Sequence, residues 1–250
     1  MKLAKLGDGP EIFHTIQGEG VNVGAPAVFI RASRCNLHCS WCDTDHTWNF
    51  EGTPWQHEKD ALPGYAKHRR EDVTFEMEPR EAARRILGYG CDRTVITGGE
   101  PLLQEPEFLE LIRILRNRNP QHAFEVETNG TRVPSAEFAE AVDQFNVSPK
   151  LSNSLMAENL RIKPEALRFF ASTKKAWFKF VVATPEDLEE IEALCAEHGI
   201  SKSQVLLMPE GRTPDEIEKT SPWLADLCRD RNYRFADRLH IRIWGDKRGV

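Results

Sequence analysis

Short apolar runs alternate with amphipathic stretches along most of this chain. Residues 25–32, Ala-Pro-Ala-Val-Phe-Ile-Arg-Ala, read as a buried strand. Thr94 to Thr97, Ala123 to Glu127, Phe145 to Ser148, Trp177 to Val182 and Val205 to Met208 read the same way. Between them apolar positions recur at helical spacing. Pro79 opens one helix, to about Leu87, and Phe108, Leu111, Ile112 and Leu115 mark another. Leu188, Ile191 and Leu194, with Cys195, lie on one face of a helix from about Pro185 to His198, stopped by Gly199. Shorter helices are predicted at 135–143 and 164–171. Thr213-Pro214 and Ser221-Pro222 pair a capping residue with a first-turn proline and predict two successive helix starts. His240 to Trp244 predicts a last strand.

Strands alternating with helices imply a mainly parallel sheet with right-handed crossovers. Six such units predict an α/β fold, a partial (β/α)6 TIM-like barrel. No repeat or linker interrupts it, so residues 1–250 are read as one domain. Residues 45–78 break the rhythm: they carry Trp48, Trp55, Tyr65, a Pro63-Gly64 break and the charged run Lys67 to Asp72. They read as an insertion, either a lid or an irregular solvated surface.

Composition changes this picture little. The 250 residues are 40% hydrophobic and 29% charged, as in an ordinary soluble domain, and large enough for a substantial core. No apolar run reaches the roughly 18 residues of a membrane span. The first residues, Met-Lys-Leu-Ala-Lys-Leu-Gly-Asp, lack a signal-peptide core, so a cytoplasmic location is expected. A net charge of −6 disfavours an extended nucleic-acid surface.

The candidate chemistry begins where the first predicted strand ends. Cys35, Cys39 and Cys42 have the spacing C-x3-C-x2-C. Three thiolates suit a [4Fe–4S] cluster with one iron left open for a small chelating molecule. Zinc is the alternative, with His38 or His46 as fourth ligand. Cys91, Cys195 and Cys228 are scattered singly, and a reducing compartment argues against disulfides.

Other candidates also fall at the C-terminal ends of predicted strands, where barrel sites gather. Thr97-Gly98-Gly99-Glu100-Pro101 allows close backbone approach to a ligand, or a tight turn before a helix. Glu127-Thr128-Asn129-Gly130 offers donors and acceptors suited to ribose hydroxyls, or a terminating turn. In Ser148-Pro149-Lys150 the lysine is either a point charge for an anion or a surface group. Met208-Pro209-Glu210-Gly211 is an adenosine contact or a plain loop. Arg31 lies within an apolar strand and needs a carboxylate partner, either Glu19 or a ligand.

The cysteine spacing is that of the radical S-adenosylmethionine (SAM) superfamily. Thr15-Ile16-Gln17-Gly18-Glu19-Gly20, Phe29-Ile30-Arg31, Trp41-Cys42-Asp43-Thr44, the four strand-end motifs above and the ending Trp244-Gly-Asp-Lys-Arg-Gly-Val250 recur in order. Together, the Met208 motif apart, they resemble the 7-carboxy-7-deazaguanine synthases of that superfamily. The resemblance implies a radical SAM partial barrel with some helices trimmed, and a [4Fe–4S] cluster on Cys35, Cys39 and Cys42. It assigns SAM to Thr97, Gly98, Gly99, Glu100, Glu127, Thr128, Asn129, Ser148, Pro149, Lys150, Met208, Pro209, Glu210 and Gly211. It assigns the substrate, 6-carboxy-5,6,7,8-tetrahydropterin, to Ile16, Gln17, Gly18, Glu19, Arg31, Thr97 and Val250, and Mg2+ to Thr44.

The implied reaction is that of a lyase in queuosine and 7-deazapurine biosynthesis. A 5′-deoxyadenosyl radical takes the substrate's C6 hydrogen, the ring contracts, the hydrogen returns and ammonia leaves, with SAM used as a cofactor. An electron donor such as flavodoxin and a homodimer are implied too, with no direct nucleic-acid or membrane partner. An activating enzyme for a glycyl-radical protein, and a non-catalytic iron–sulfur or zinc protein, are the competing readings.

Overall fold

The computed structural model describes residues 1–250. Its strands are β1 (Lys2–Leu6), β2 (Gly9–Pro10), β3 (Ile12–Ile16), β4 (Pro26–Ala32), β5 (Thr74–Glu76), β6 (Arg93–Gly98), β7 (Ala123–Thr128), β8 (Gln144–Val147), β9 (Ala176–Val182), β10 (Val205–Pro209) and β11 (Arg234–Phe235). Its helices are α1 (Arg70–Val73), α2 (Pro79–Leu87), α3 (Glu105–Arg118), α4 (Ala136–Ala141), α5 (Glu158–Arg161), α6 (Pro164–Ser172), α7 (Asp187–His198), α8 (Pro214–Arg231) and α9 (Leu239–Trp244). One sheet runs β11-β10-β9-β8-β7-β6-β4-β1-β2, with β3 also on β4 and β5 on β1. Pairing is parallel from β4 to β11 and antiparallel among β1 to β5. The six expected strands are thus β4 and β6 to β10, and the α/β partial barrel is present. No helix is long and apolar enough to cross a membrane.

Strand alternation gives the sheet two unlike faces. Val28, Ile30, Ile96, Phe124, Val126, Phe145, Val147, Phe178, Phe180 and Leu207 join Phe108, Leu111 and Ile112 of α3 and Leu188 and Ile191 of α7 in the main core. Each fully buried Phe there contributes roughly 1.5–3 kcal/mol. The intervening residues face inward, and Gln17 and Glu19, just past β3, reach Glu127 of β7 and Lys179 of β9 across the concave side. Only small apolar groups lie on that side: Ala27, Phe29 and Val95 with Phe13, and Leu206 and Met208. Glu125 is buried there and accepts hydrogen bonds from Asn22, Arg93 and Asn146 at 2.8, 2.6 and 3.2 Å.

Two expectations are corrected. His240 to Trp244 is helix α9, because β11 already occupies the edge of β10 where a last strand would pair. Ser221-Pro222 does not start a helix. α8 runs through Pro222, and its buried face, Ile217, Leu224 and Cys228, continues on both sides of the proline. Residues 45–78 divide: Asp45 to Phe50 and His57 are buried, β5 pairs with β1, and the Asp45 carboxylate accepts from Lys59, His68 and Tyr65 at 3.0, 2.8 and 2.6 Å, whereas most of residues 51–72 are exposed. The helices expected at 135–143 and 164–171 are present as α4 and α6, while β1 to β3 went unpredicted.

Candidate active site

β4 leaves the sheet at Ala32 and runs straight into the cysteine loop, which is pinned from several sides. Gly99 N donates to Ala32 O and Glu100 N to Arg34 O, at 3.0 and 2.9 Å. A Cβ on Gly98 would sit 2.2 Å from Ala32 O, and one on Gly99 1.9 Å from Arg34 O. The double glycine therefore lets β6 press against the chain entering the loop, in addition to any ligand approach. Glu100 is fully buried; its carboxylate accepts from Leu102 N, Thr128 Oγ1 and Asn129 N. It does not line the cavity, and neither do Pro149 and Pro209. Glu100 braces the turn behind the site, and the two prolines sit outside the cavity lining.

The remaining expected residues share one cavity at the C-terminal ends of the strands. Ile16, Gln17, Gly18, Glu19 and Arg31 line it on one side, and Cys35, Cys39, Cys42 and Thr44 on another. Thr97, Gly98, Gly99, Glu127, Thr128, Asn129, Ser148, Lys150, Met208, Glu210, Gly211 and Val250 complete it. Asn129 is already engaged: its amide donates to Asn36 Oδ1 at 2.9 Å and accepts from Thr131 Oγ1 at 2.6 Å, which steadies the cysteine loop. Lys150 Nζ donates to Ser148 Oγ at 3.0 Å and lies 5.5 Å from the Trp41 ring centre. Thr44 Oγ1 lies 3.4 Å from Cys42 Sγ and makes no cap to the turn that follows.

Burial pushes all three cavity thiols up, Cys39 to about 12. Such thiols ionise only beside positive charge, and binding of iron releases their protons. Neither candidate histidine joins them as a zinc ligand. The His38 ring packs 4.3 Å from the Trp55 ring centre and 5.4 Å from Trp48, and His46 Nε2 lies 3.5 Å from Glu11. Three thiols lining one cavity without a fourth protein ligand fit a cubane cluster with one open iron.

Arg31 pairs with Glu11 through Nε at 2.9 Å, not with Glu19. Glu19 instead holds Lys179 and Arg238, the latter at 2.9 Å. Burial raises the Glu19 carboxyl, but those cations outweigh it and keep it well below the ordinary range. Arg238 also donates to Asp43 and, at 2.5 Å, to Gly211 O, so it ties the Gln17-Gly18-Glu19 run, the cysteine loop and the end of β10 together. Arg238 opposes the burial of Asp43 and holds its carboxyl down to about 2. Leu239 N donates to Gly18 O at 2.9 Å, and a Cβ on Gly18 would meet His240 Nδ1 at 2.1 Å. Glu11, Lys179, Arg238 and His240 were not singled out from the sequence. Lys179 had the signal that exposed Arg31, a lone cation within an apolar strand, Trp-Phe-Lys-Phe-Val.

A curled parallel sheet with three free thiols at its mouth defines a radical SAM enzyme, and the Radical SAM superfamily profile matches residues 29–224. The chain is 36% identical over 241 residues to 7-carboxy-7-deazaguanine synthase of Pyrobaculum aerophilum, covering 96% of this chain and 95% of that one. It is 34% identical over 266 residues to the Halobacterium salinarum protein of that name, covering 96% and 93%. The crystal structure of QueE from Escherichia coli superposes with a TM-score of 0.65 at 26% identity, covering 96% and 95%. The chain belongs to the 7-carboxy-7-deazaguanine synthase family.

Proposed function

We propose that the chain converts 6-carboxy-5,6,7,8-tetrahydropterin to 7-carboxy-7-deazaguanine with loss of ammonia, serving queuosine or related 7-deazapurine synthesis. The observation that carries this is one cavity holding both the three thiols and a carboxylate-binding cradle. Cys35, Cys39 and Cys42 would hold the [4Fe–4S] cluster, which with bound SAM would supply the radical chemistry the reaction needs at C6. The chain's own residues position and shield. Arg31 spends only Nε on Glu11, and its two terminal nitrogens have no protein partner, so they are open to the substrate carboxylate. Glu19, kept charged by Lys179 and Arg238, accepts from the amino and ring N–H groups of the pterin. Thr97, Gln17 and the Ile16-Gly18 backbone frame the same edge. Phe13 and Phe29, stacked 5.5 Å apart at the cavity wall, exclude water from the reacting carbon.

The SAM side of the reading uses the backbone of Gly98 and Gly99, with Glu127, Thr128, Ser148, Lys150, Met208, Glu210 and Gly211. Thr44 supplies a Mg2+ ligand, consistent with a hydroxyl that caps nothing. A flavodoxin-like donor, a homodimer and a cytoplasmic setting belong to the same reading. The test is anaerobic turnover of the carboxytetrahydropterin with SAM, reductant and Mg2+, with products identified by mass. The expected product is the deazaguanine acid plus ammonia, with SAM recovered. Thr44→Val should blunt the Mg2+ response several-fold. Cleavage of SAM with the pterin left intact would overturn the assignment.

A further inference from the structure

Glu11 is a buried carboxylate without a role so far. It lies just before β3 with its side chain wholly out of water. Such a group is costly unless paired. Oε1 accepts from Arg31 Nε at 2.9 Å, Oε2 accepts from Arg248, and His46 Nε2 lies 3.5 Å from Oε2. Burial alone would raise its carboxyl; Arg31 first, then the nearby His46 ring and the Arg248 guanidinium, hold it well below the ordinary range. These partners come from β4, from the segment after the cysteine loop and from the C-terminal segment.

Both arginines line the cavity. Pairing through Nε restrains the Arg31 guanidinium and leaves its terminal nitrogens without a protein partner. Arg248 also donates to Lys5 O at 2.9 Å. The next residue, Gly249, has φ +79°, and a Cβ there would sit 2.6 Å from Leu6 Cδ2. Glycine takes this positive φ without strain and lets the segment pass close to Leu6 as it brings Val250 to the cavity wall.

We infer that Glu11 is a positioning residue for substrate recognition: one buried carboxylate both aims Arg31 and latches residues 246–250 over the cavity. The inference deepens the reading in which Arg31 and Val250 meet the substrate, and rests on it. Removing the charge disturbs both Arg31 and the C-terminal segment, whereas removing Arg31 leaves the bond to Arg248 in place.

The test uses the full chain with Glu11→Gln, Glu11→Asp, Arg248→Ala and Arg31→Ala. Two quantities are read: the rate at which a carboxypeptidase releases Val250 without substrate, and the dissociation constant of the carboxytetrahydropterin. Glu11→Gln and Arg248→Ala should speed release about tenfold, since both break the charge-assisted hydrogen bond that closes the segment. Arg31→Ala should leave release as in the wild type. Glu11→Gln should weaken substrate binding about tenfold with iron content and SAM binding unchanged, and Glu11→Asp should recover part of both effects. Arg248 is partly exposed, so its variant carries the release test if Glu11→Gln fails to fold. Unchanged release in folded Arg248→Ala overturns the latch. Faster release with unchanged substrate affinity in Glu11→Gln supports the latch and overturns the reading that Arg31 and Val250 meet the substrate.

Discussion

Phe178 and Lys179 are neighbours on β9, yet they belong to different parts of the molecule. Phe178 points into the layer between sheet and helices, where it is fully buried among apolar groups. Lys179 points into the curled side, where it is almost as buried but sits on Glu19. The same alternation runs through β4, with Ile30 against Arg31, and β7, with Val126 against Glu127. One face of the sheet is built of dispersion and hydrophobic burial, the other of compensated charge. The first sets stability; the second lines the cavity, and its ion pairs shape that cavity more than they stabilise the fold.

This division can be broken at four points. The largest effect is expected on the concave side. Replacing Cys35, Cys39 and Cys42 by Ala should abolish iron incorporation and turnover, while Ala at Cys91, Cys195 and Cys228 should spare both; iron and sulfide counts after anaerobic reconstitution decide it. On the helix side, Phe178→Ala should cost about 3–5 kcal/mol in urea unfolding. Gly99→Ala tests the join between the layers. Its Cβ would collide with Arg34 backbone, so it should cost about 2–3 kcal/mol and lower iron retention.

The smallest of the four is a matter of sign. The folded Glu19 carboxyl lies well below its ordinary 4.5. Its ion pairs therefore contribute full stability above about pH 4.5 and lose it as pH falls through the folded value. Arg238→Met should cost about 2 kcal/mol at pH 7, and that cost should shrink as pH falls below 4.5. The cost of Phe178→Ala should stay flat over the same range. Urea titrations at pH 7, 4 and 3 check both.

How much of this was legible in the sequence follows from the same two layers. The helix-facing residues announce themselves: Val28-Phe29-Ile30 and Phe178-Lys179-Phe180 read as strands because apolar groups dominate them. The cysteine spacing and strand-end motifs located the cavity because ligand-bearing loops are local in sequence. The ion pairs were not legible, since Glu11 with Arg248 and Glu19 with Arg238 join positions more than 200 residues apart. Arg31 was noticed as a cation in an apolar strand; Lys179, in the same situation, was not. α9 misled through its own pattern. Leu239-His-Ile-Arg-Ile-Trp244 alternates as a strand does, but it lands where β11 has already paired the edge and where its first turn can cover Gly18.

The most direct test of the two-layer account is the dissociation constant of the carboxytetrahydropterin, measured anaerobically on reconstituted Lys179→Met and Phe178→Leu under conditions where both are folded. Adjacent substitutions on one strand are then compared by a single number. The account predicts that Lys179→Met raises the constant about tenfold, through loss of the charge that holds Glu19, while Phe178→Leu leaves it within twofold of the wild type. Equal weakening in both variants, or none in Lys179→Met, would contradict it.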